Sequence, residues 1–149
     1  MKDKINIIAV SSINKFKAKD WDNCNKNGNV FLSYNFLKLL EDSNSIGGNT
    51  GWQPVYFCLK VNDKITAIVP SFIKYHSQGE FVFDHSWAQA YQSLGLNYYP
   101  KLLIASPFSP VTGKRILVTQ NINALIKKKL FDFIKDFCKE KKISSIHIN

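Results

Sequence analysis

The sequence predicts an α/β (α+β) domain, a mixed sheet flanked by helices, and three observations carry that prediction. Short apolar runs of strand length alternate with stretches whose apolar residues recur at helical spacing. A hairpin signature stands near the middle of the chain, and a long amphipathic segment leads into a last apolar run. The 149 residues fit one domain, of a size that builds a core without disulfide or metal staples.

Residues 4 to 10 read as a strand, and residues 12 to 25 as a helix with Ile13, Phe16, Trp21 and Cys24 near one face. Ser33 is placed to cap a short helix that carries Phe36, Leu37 and Leu40. The stretch from Ser43 to Gln53, with Gly47, Gly48 and Gly51, is a loop. Val55 to Val61 and Ile65 to Lys74 flank Asn62, Asp63 and Lys64, which predicts an antiparallel hairpin. Phe81, Val82 and Phe83 read as a short strand, after which Asp84 or Ser86 caps a helix that runs through Leu94 and stops at Gly95. Lys101 to Ala105 and Arg115 to Val118 read as strands, joined irregularly because Pro107, Pro110 and Gly113 interrupt regular pairing. Asn123 to Glu140 is an amphipathic helix with Ile126, Leu130, Phe133, Ile134 and Phe137 inward and its lysines on a solvated face. Ser144 to Ile148 begins a further strand, and its position predicts that the polypeptide is a piece of a longer one.

Twenty lysines and arginines against 11 carboxylates give a net charge of +9, which suits an anionic partner. Nineteen of those 20 are lysine and Arg115 is the only arginine, whereas base-reading surfaces rely on arginine's bidentate fork. No nucleic-acid module pattern is present, so specific DNA binding is not expected. Cys24, Cys58 and Cys138 are odd in number and widely spaced, which fits reduced thiols filling a core in the cytoplasm. No run approaches the length of a membrane span, and the N-terminal apolar stretch is too short for a signal peptide.

Several catalytic motifs are excluded directly. Gly113-Lys114 is followed by Arg115 with Phe at 108, which is no phosphate-binding P-loop. Gly47-Gly48-Asn49-Thr50-Gly51 lacks the dinucleotide spacing, His76, His85 and His147 make no zinc pattern, and no nucleophile elbow occurs. What stands out is a density of polar and aromatic residues between 74 and 115, at strand ends and in irregular loops, where binding residues concentrate. It comprises Lys74, His76, Ser77, Glu80, Asp84, His85, Trp87, Tyr91, Tyr98, Tyr99, Lys101, Thr112 and Arg115. The plainer reading of the same residues is that the aromatics fill the core, Glu80 and Asp84 pair with lysines, and Asp84 caps a helix.

Five ordered blocks carry a resemblance. They are Phe31-Leu32-Ser33-Tyr34, Gly51-Trp52-Gln53-Pro54, the run from Lys74 to Ala88, Tyr98-Tyr99-Pro100-Lys101-Leu102, and the run from Pro107 to Arg115. Together they resemble a bacterial family of FemAB-like proteins, described as peptidoglycan biosynthesis or recognition proteins and as acyltransferases of the GNAT (N-acetyltransferase) superfamily. The resemblance implies a GNAT-like fold that occurs twice in tandem, with this chain as the first unit and a second unit completing the acyl-donor site. It implies a transferase in which an acceptor amine attacks an activated acyl or aminoacyl ester to form an amide. The donor is then an aminoacyl-tRNA or an acyl-CoA, with no tightly bound cofactor and no metal, and the acceptor an anionic small molecule or peptide. An acetyl-CoA enzyme would show a glycine-rich pyrophosphate loop between a strand and a helix, and none is present in the chain.

Matched block to block, His76, Glu80 and Asp84 are the expected catalytic residues, handling the amine or its proton. Lys74, Lys101 and Arg115 are expected to bind anions, Trp87, Tyr98 and Tyr99 to wall the cleft, and Thr112 to contact substrate. The alternative expectation is a recognition module that binds a peptidoglycan-type or acidic ligand without turnover.

Overall fold

The hairpin predicted from Asn62, Asp63 and Lys64 is the centre of the structure, a computed structural model that describes residues 3–26, 28–81 and 84–149. Strand β1 is Ile5–Val10, β2 is Trp52–Val61, β3 is Lys64–Lys74, β4 is Lys101–Ile104, β5 is Leu117–Val118 and β6 is Ile146–Ile148. Helix α1 is Ala18–Cys24, α2 is Tyr34–Asp42, α3 is His85–Ser93 and α4 is Ala124–Glu140. The turn between β2 and β3 puts Asn62 and Asp63 at φ of 50° and 63°. These two residue types tolerate the left-handed region, and the resulting twist matches that of the strands.

The sheet runs β1-β2-β3-β4-β6, with β5 pairing β3 beside β4. All neighbours are antiparallel except β4 and β6, which are parallel. A mixed open sheet with helices on its faces is the predicted class and is compatible with a GNAT-like α+β fold. Side chains alternate between the faces along each strand. Tyr56, Cys58, Ile68, Phe72 and Leu103 point to one layer with Trp21, Leu32 and Leu37 from α1, α2 and the turn before α2. Val55, Phe57, Leu59, Val69 and Leu102 point to the other layer, which α4 covers with Leu130, Ile134 and Cys138.

Glu41 ties the first layer together from within. Its carboxylate accepts from the Ile13 amide at 2.8 Å, the Tyr56 hydroxyl at 2.8 Å and the Ser12 hydroxyl at 2.7 Å. The caps follow expectation: the Ser33 hydroxyl accepts from the Phe36 amide, and the Asn123 side chain caps α4 through the Ile126 amide. The three cysteines are free and buried. Burial pushes the Cys24 thiol up to about 12, with Cys58 adding to it, and the Cys58 and Cys138 thiols up to about 11, so all three are inert core filling at neutral pH.

Several boundaries differ from the sequence reading. The helix expected over 12 to 25 is two pieces, a 3-10 turn at Ile13–Lys15 and then α1. Phe16 between them is extended, which lets its ring meet Trp21 and Tyr56 edge-on at 5.1 and 6.1 Å. The glycine-bearing loop ends at Gly51, because Trp52 and Gln53 already pair with Lys74 and Ile73. Of the strand expected at Phe81 to Phe83, Phe81 lies in a bend, and Val82 and Phe83 lie outside the described residues. The chain turns there: the Glu80 amide donates back to the Ser77 carbonyl at 3.3 Å. The strand expected from Arg115 shrinks to Leu117–Val118, since the Arg115 guanidinium folds back onto the Val111 and Asn149 carbonyls. No helix among the described residues is long and apolar enough to cross a membrane.

Candidate functional site

Strand register sets Trp52, Lys74 and Lys101 side by side, because Trp52 pairs with Lys74 and Lys74 with Lys101 across β2, β3 and β4. Lys74 is two residues past Phe72 and Lys101 two before Leu103, so both lysines point into the first apolar layer. Both are fully buried, with 0% exposure. Two ammonium groups directly opposite each other in an apolar layer are strongly unfavourable unless acids join them.

The segment between β3 and α3 supplies those acids. Its Glu80 and Asp84 are both buried. The Lys101 ammonium donates to Glu80 Oε2 at 2.9 Å, to Ser77 Oγ at 3.3 Å and, in a very short contact, to Asp84 Oδ2. The Tyr98 hydroxyl donates to Asp84 Oδ2 at 2.6 Å, and the Ser77 hydroxyl donates to Asp84 Oδ1. The Tyr99 hydroxyl lies 2.5 Å from Ser77 Oγ. Lys74 donates to the Gln78 carbonyl at 3.0 Å, stands 3.9 Å from Glu80 Oε1 and sits 3.6 Å above the Trp52 ring, where the face of the π system attracts a cation.

The electrostatics follow from these contacts. Burial works to raise the Asp84 carboxyl, but hydrogen bonds from Lys101, Ser77 and Tyr98 outweigh it and hold the group at about 2. Burial lowers Lys74 to about 8 against the opposing attraction of Glu80. Burial, aided by Asp84, pushes the Tyr98 hydroxyl up, so it remains a donor.

Asp84 is satisfied on both oxygens, whereas Glu80 is not. Its Oε1 is shielded from bulk water and has no hydrogen-bond partner among the described residues. Glu80 lines a pocket of about 40 Å³, walled by Trp52, Gly79, Leu103 and Phe108 and shared with Ser106. The Ser106 hydroxyl is likewise buried and unpartnered among the described residues. Buried acceptors are rarely left unpaired, so a carboxylate oxygen and a hydroxyl beside one small apolar-walled space mark a place for a ligand that donates hydrogen bonds.

The structure thus gathers Lys74, Glu80, Asp84, Tyr98, Tyr99 and Lys101 into one cluster. The plainer reading of Glu80 and Asp84, as partners of lysines, holds, but Asp84 does not cap α3 with its side chain although it stands at the N-cap position. Lys74 and Lys101 face these acids and are not open cations. His76 sits at the edge: its Nδ1 accepts from the Gln78 amide at 3.2 Å, which leaves Nε2 to donate to the Thr50 carbonyl at 3.1 Å. With both ring nitrogens bonded to backbone, His76 staples two loops. Gly51 makes room for it, since a Cβ there would meet His76 Nε2 at 2.0 Å. With Gly51 at φ 75° as well, Gly51→Ala is expected to cost about 1 to 2 kcal/mol in urea unfolding and to shift the His76 ring resonances. An unchanged histidine spectrum would remove His76 from the support of the cluster.

Trp87 lies elsewhere, 65% exposed on α3, a helix with no buried residue. Thr112 and Arg115 lie on the connection from β4 to β5, where Thr112 is exposed and Arg115 half-buried. Sequence reasoning missed Trp52, Ser106, Asn25 and Asn29. For Trp52 a signal existed: it stands at the start of an apolar run opposite the end of the next one, where hairpin pairing brings it against Lys74.

A family model described as FemAB-like, peptidoglycan biosynthesis/recognition, matches residues 12–149. No curated protein and no solved structure matches the chain.

Proposed function

Because the chain belongs to the FemAB-like family of peptidoglycan biosynthesis/recognition proteins, we propose that its Glu80 pocket holds the acceptor amine of an acyl or aminoacyl transferase acting on a peptidoglycan precursor. The observation that carries this reading is Glu80 Oε1, a buried carboxylate oxygen beside a small pocket with no hydrogen-bond partner among the described residues. An amine is the ligand group that fits both such an acceptor and the neighbouring Ser106 hydroxyl.

In this reading an ammonium group donates to Glu80 Oε1 and passes its proton to the carboxylate. The freed lone pair attacks the carbonyl of the activated ester or thioester, the C–N bond forms, the C–O or C–S bond breaks, and the leaving oxygen or sulfur takes up the proton that the nitrogen loses on becoming an amide. Lys101 holds Glu80 aimed through Oε2. Lys74 balances the same carboxylate and, lowered to about 8, tolerates a second cation nearby better than an ordinary lysine would. Positioning of this kind supplies much of the rate of amide formation without a protein nucleophile. The donor, an aminoacyl ester or acyl-CoA, is proposed to be held with the help of a second GNAT-like unit.

A second reading, recognition without turnover, is favoured by the saturation of Asp84 and Lys101, which leaves Glu80 as the one cluster acid with a spare oxygen. Incubation with an amine-bearing muropeptide and labelled donors separates the two. Transfer predicts a donor-dependent amide product that Glu80→Gln lowers about 100-fold or more while the fold is kept. Muropeptide binding weakened by Glu80→Gln, with no product from the parent protein, would replace transfer by recognition.

A further inference from the structure

A second cleft lies on the other stretch of the β4 to β5 connection, about 400 Å³ in volume and lined among others by Asn25, Asn29, Phe31, Thr112 and Gly113. Three buried side-chain atoms here have no hydrogen-bond partner among the described residues: Asn25 Oδ1 and Asn29 Nδ2, on residues that line this cleft, and Nη1 of Arg115, which lines the neighbouring cleft and meets this one at Gly113. Each belongs to a side chain anchored through another of its polar atoms. Asn25 Nδ2 donates to the Asn29 carbonyl at 2.9 Å, and Asn29 Oδ1 accepts from the Phe31 amide at 3.1 Å as the cap of the turn before α2. Arg115 Nη2 donates to the Val111 carbonyl at 2.5 Å and Nε to the Asn149 carbonyl.

The spare donors converge. A Cβ on Gly113 would lie 3.1 Å from Asn29 Nδ2 and 3.5 Å from Arg115 Nη1. The absence of a side chain at 113 therefore lets an amide donor and a guanidinium donor approach the same point of the backbone. Two donors side by side, one charged, match the two oxygens of a carboxylate. Asn25 is 8% exposed, and its spare Oδ1 is an acceptor that calls for an N–H or O–H donor on the same ligand.

We propose that this cleft is a binding subsite for a carboxylate with an adjacent N–H group, held by Arg115 Nη1 and Asn29 Nδ2 on the oxygens and by Asn25 Oδ1 on the N–H. It is separate from the Glu80 pocket, and it stands or falls independently of the transfer reaction. Lys74 and Lys101 face acids, whereas Arg115 has a buried nitrogen with no hydrogen-bond partner among the described residues.

The test is a ¹⁵N-resolved titration of the whole chain with N-acetylglycine, with N-acetylglycine amide and inorganic phosphate as competitors. N-acetylglycine is expected to shift the side-chain signals of Asn25, Asn29 and Arg115. Asn29→Asp is the informative variant, because it retains the capping oxygen and the fold but replaces the spare donor by a negative charge. It and Arg115→Gln are each expected to weaken binding about tenfold or more, while Lys128→Ala on the solvated face of α4 leaves it unchanged. Equal losses in Arg115→Gln and Lys128→Ala would reduce the effect to bulk charge and overturn the proposal. So would equal affinity for the neutral amide, a preference for phosphate, or no shift at these residues.

Discussion

Lys101→Met is expected to lower unfolding free energy by about 3 to 5 kcal/mol, the range for a buried ion pair that loses one partner. The methionine fits the space, so the loss is electrostatic: Asp84 and the Oε2 of Glu80 keep their burial but lose the ammonium between them. Against a usual total of about 5 to 15 kcal/mol, the variant stands close to unfolding at room temperature. Urea denaturation reads the loss. The double variant Lys101→Met/Asp84→Leu removes an acid with the base and is expected to recover a substantial part of it, since apolar replacements of buried ion pairs are often tolerated. A single-variant loss under about 1 kcal/mol would mean that water, and not Lys101, compensates the acids.

The second large effect is a dependence on pH. Lys74, whose burial outweighs the pull of Glu80, is lowered from 10.5 to about 8 in the folded protein. Between those values the unfolded chain binds the proton more readily, so stability rises as pH climbs from about 8 towards 10.5. The lowering corresponds to roughly 3 kcal/mol over the whole window. Tyr56 and Tyr98 act in the opposite sense above 10, their ordinary value, because burial pushes both hydroxyls up. Cys24, Cys58 and Cys138, raised by burial from 9.0, act in that opposite sense above about 9. Lys74 is therefore isolated by the parent-minus-Lys74→Met difference in unfolding free energy from urea denaturation, which is expected to grow between pH 8 and just below 10. At the acid end Asp84, held at about 2 against an ordinary 3.8, contributes stability that is complete above 3.8 and lost as pH falls through that interval. A parent-minus-variant difference that does not grow with pH would overturn the lowering of Lys74.

The sheet and the helices were legible because their signals are local. The apolar run from Val55 to Val61, the turn at Asn62, Asp63 and Lys64, and the spacing of Ile126, Leu130, Phe133, Ile134 and Phe137 each determine an element without reference to the rest of the chain. The break at Phe16 was hidden, since its cause is a ring packed against Trp21 and Tyr56, far apart in sequence. The acids and lysines of the cluster were named from sequence, yet the roles of the lysines changed. Free anion binding and burial against acids use the same residue types, and only the Lys74 to Lys101 pairing across β3 and β4 distinguishes them. Asn25, Asn29 and Ser106 were invisible because nothing in a sequence marks which amide or hydroxyl will lack a partner.

The row formed by Trp52, Lys74 and Lys101 also acts as a proofreader of strand alignment. Sliding β3 by one residue against its neighbours would turn Lys74 to the opposite face of the sheet, among Leu130 and Ile134 of α4, where those apolar neighbours offer an ammonium no counterion. The same slip in β4 would do this to Lys101. An apolar pair at these positions would tolerate either alignment, whereas a charge that Glu80 and Asp84 can neutralise on only one side penalises every misaligned sheet.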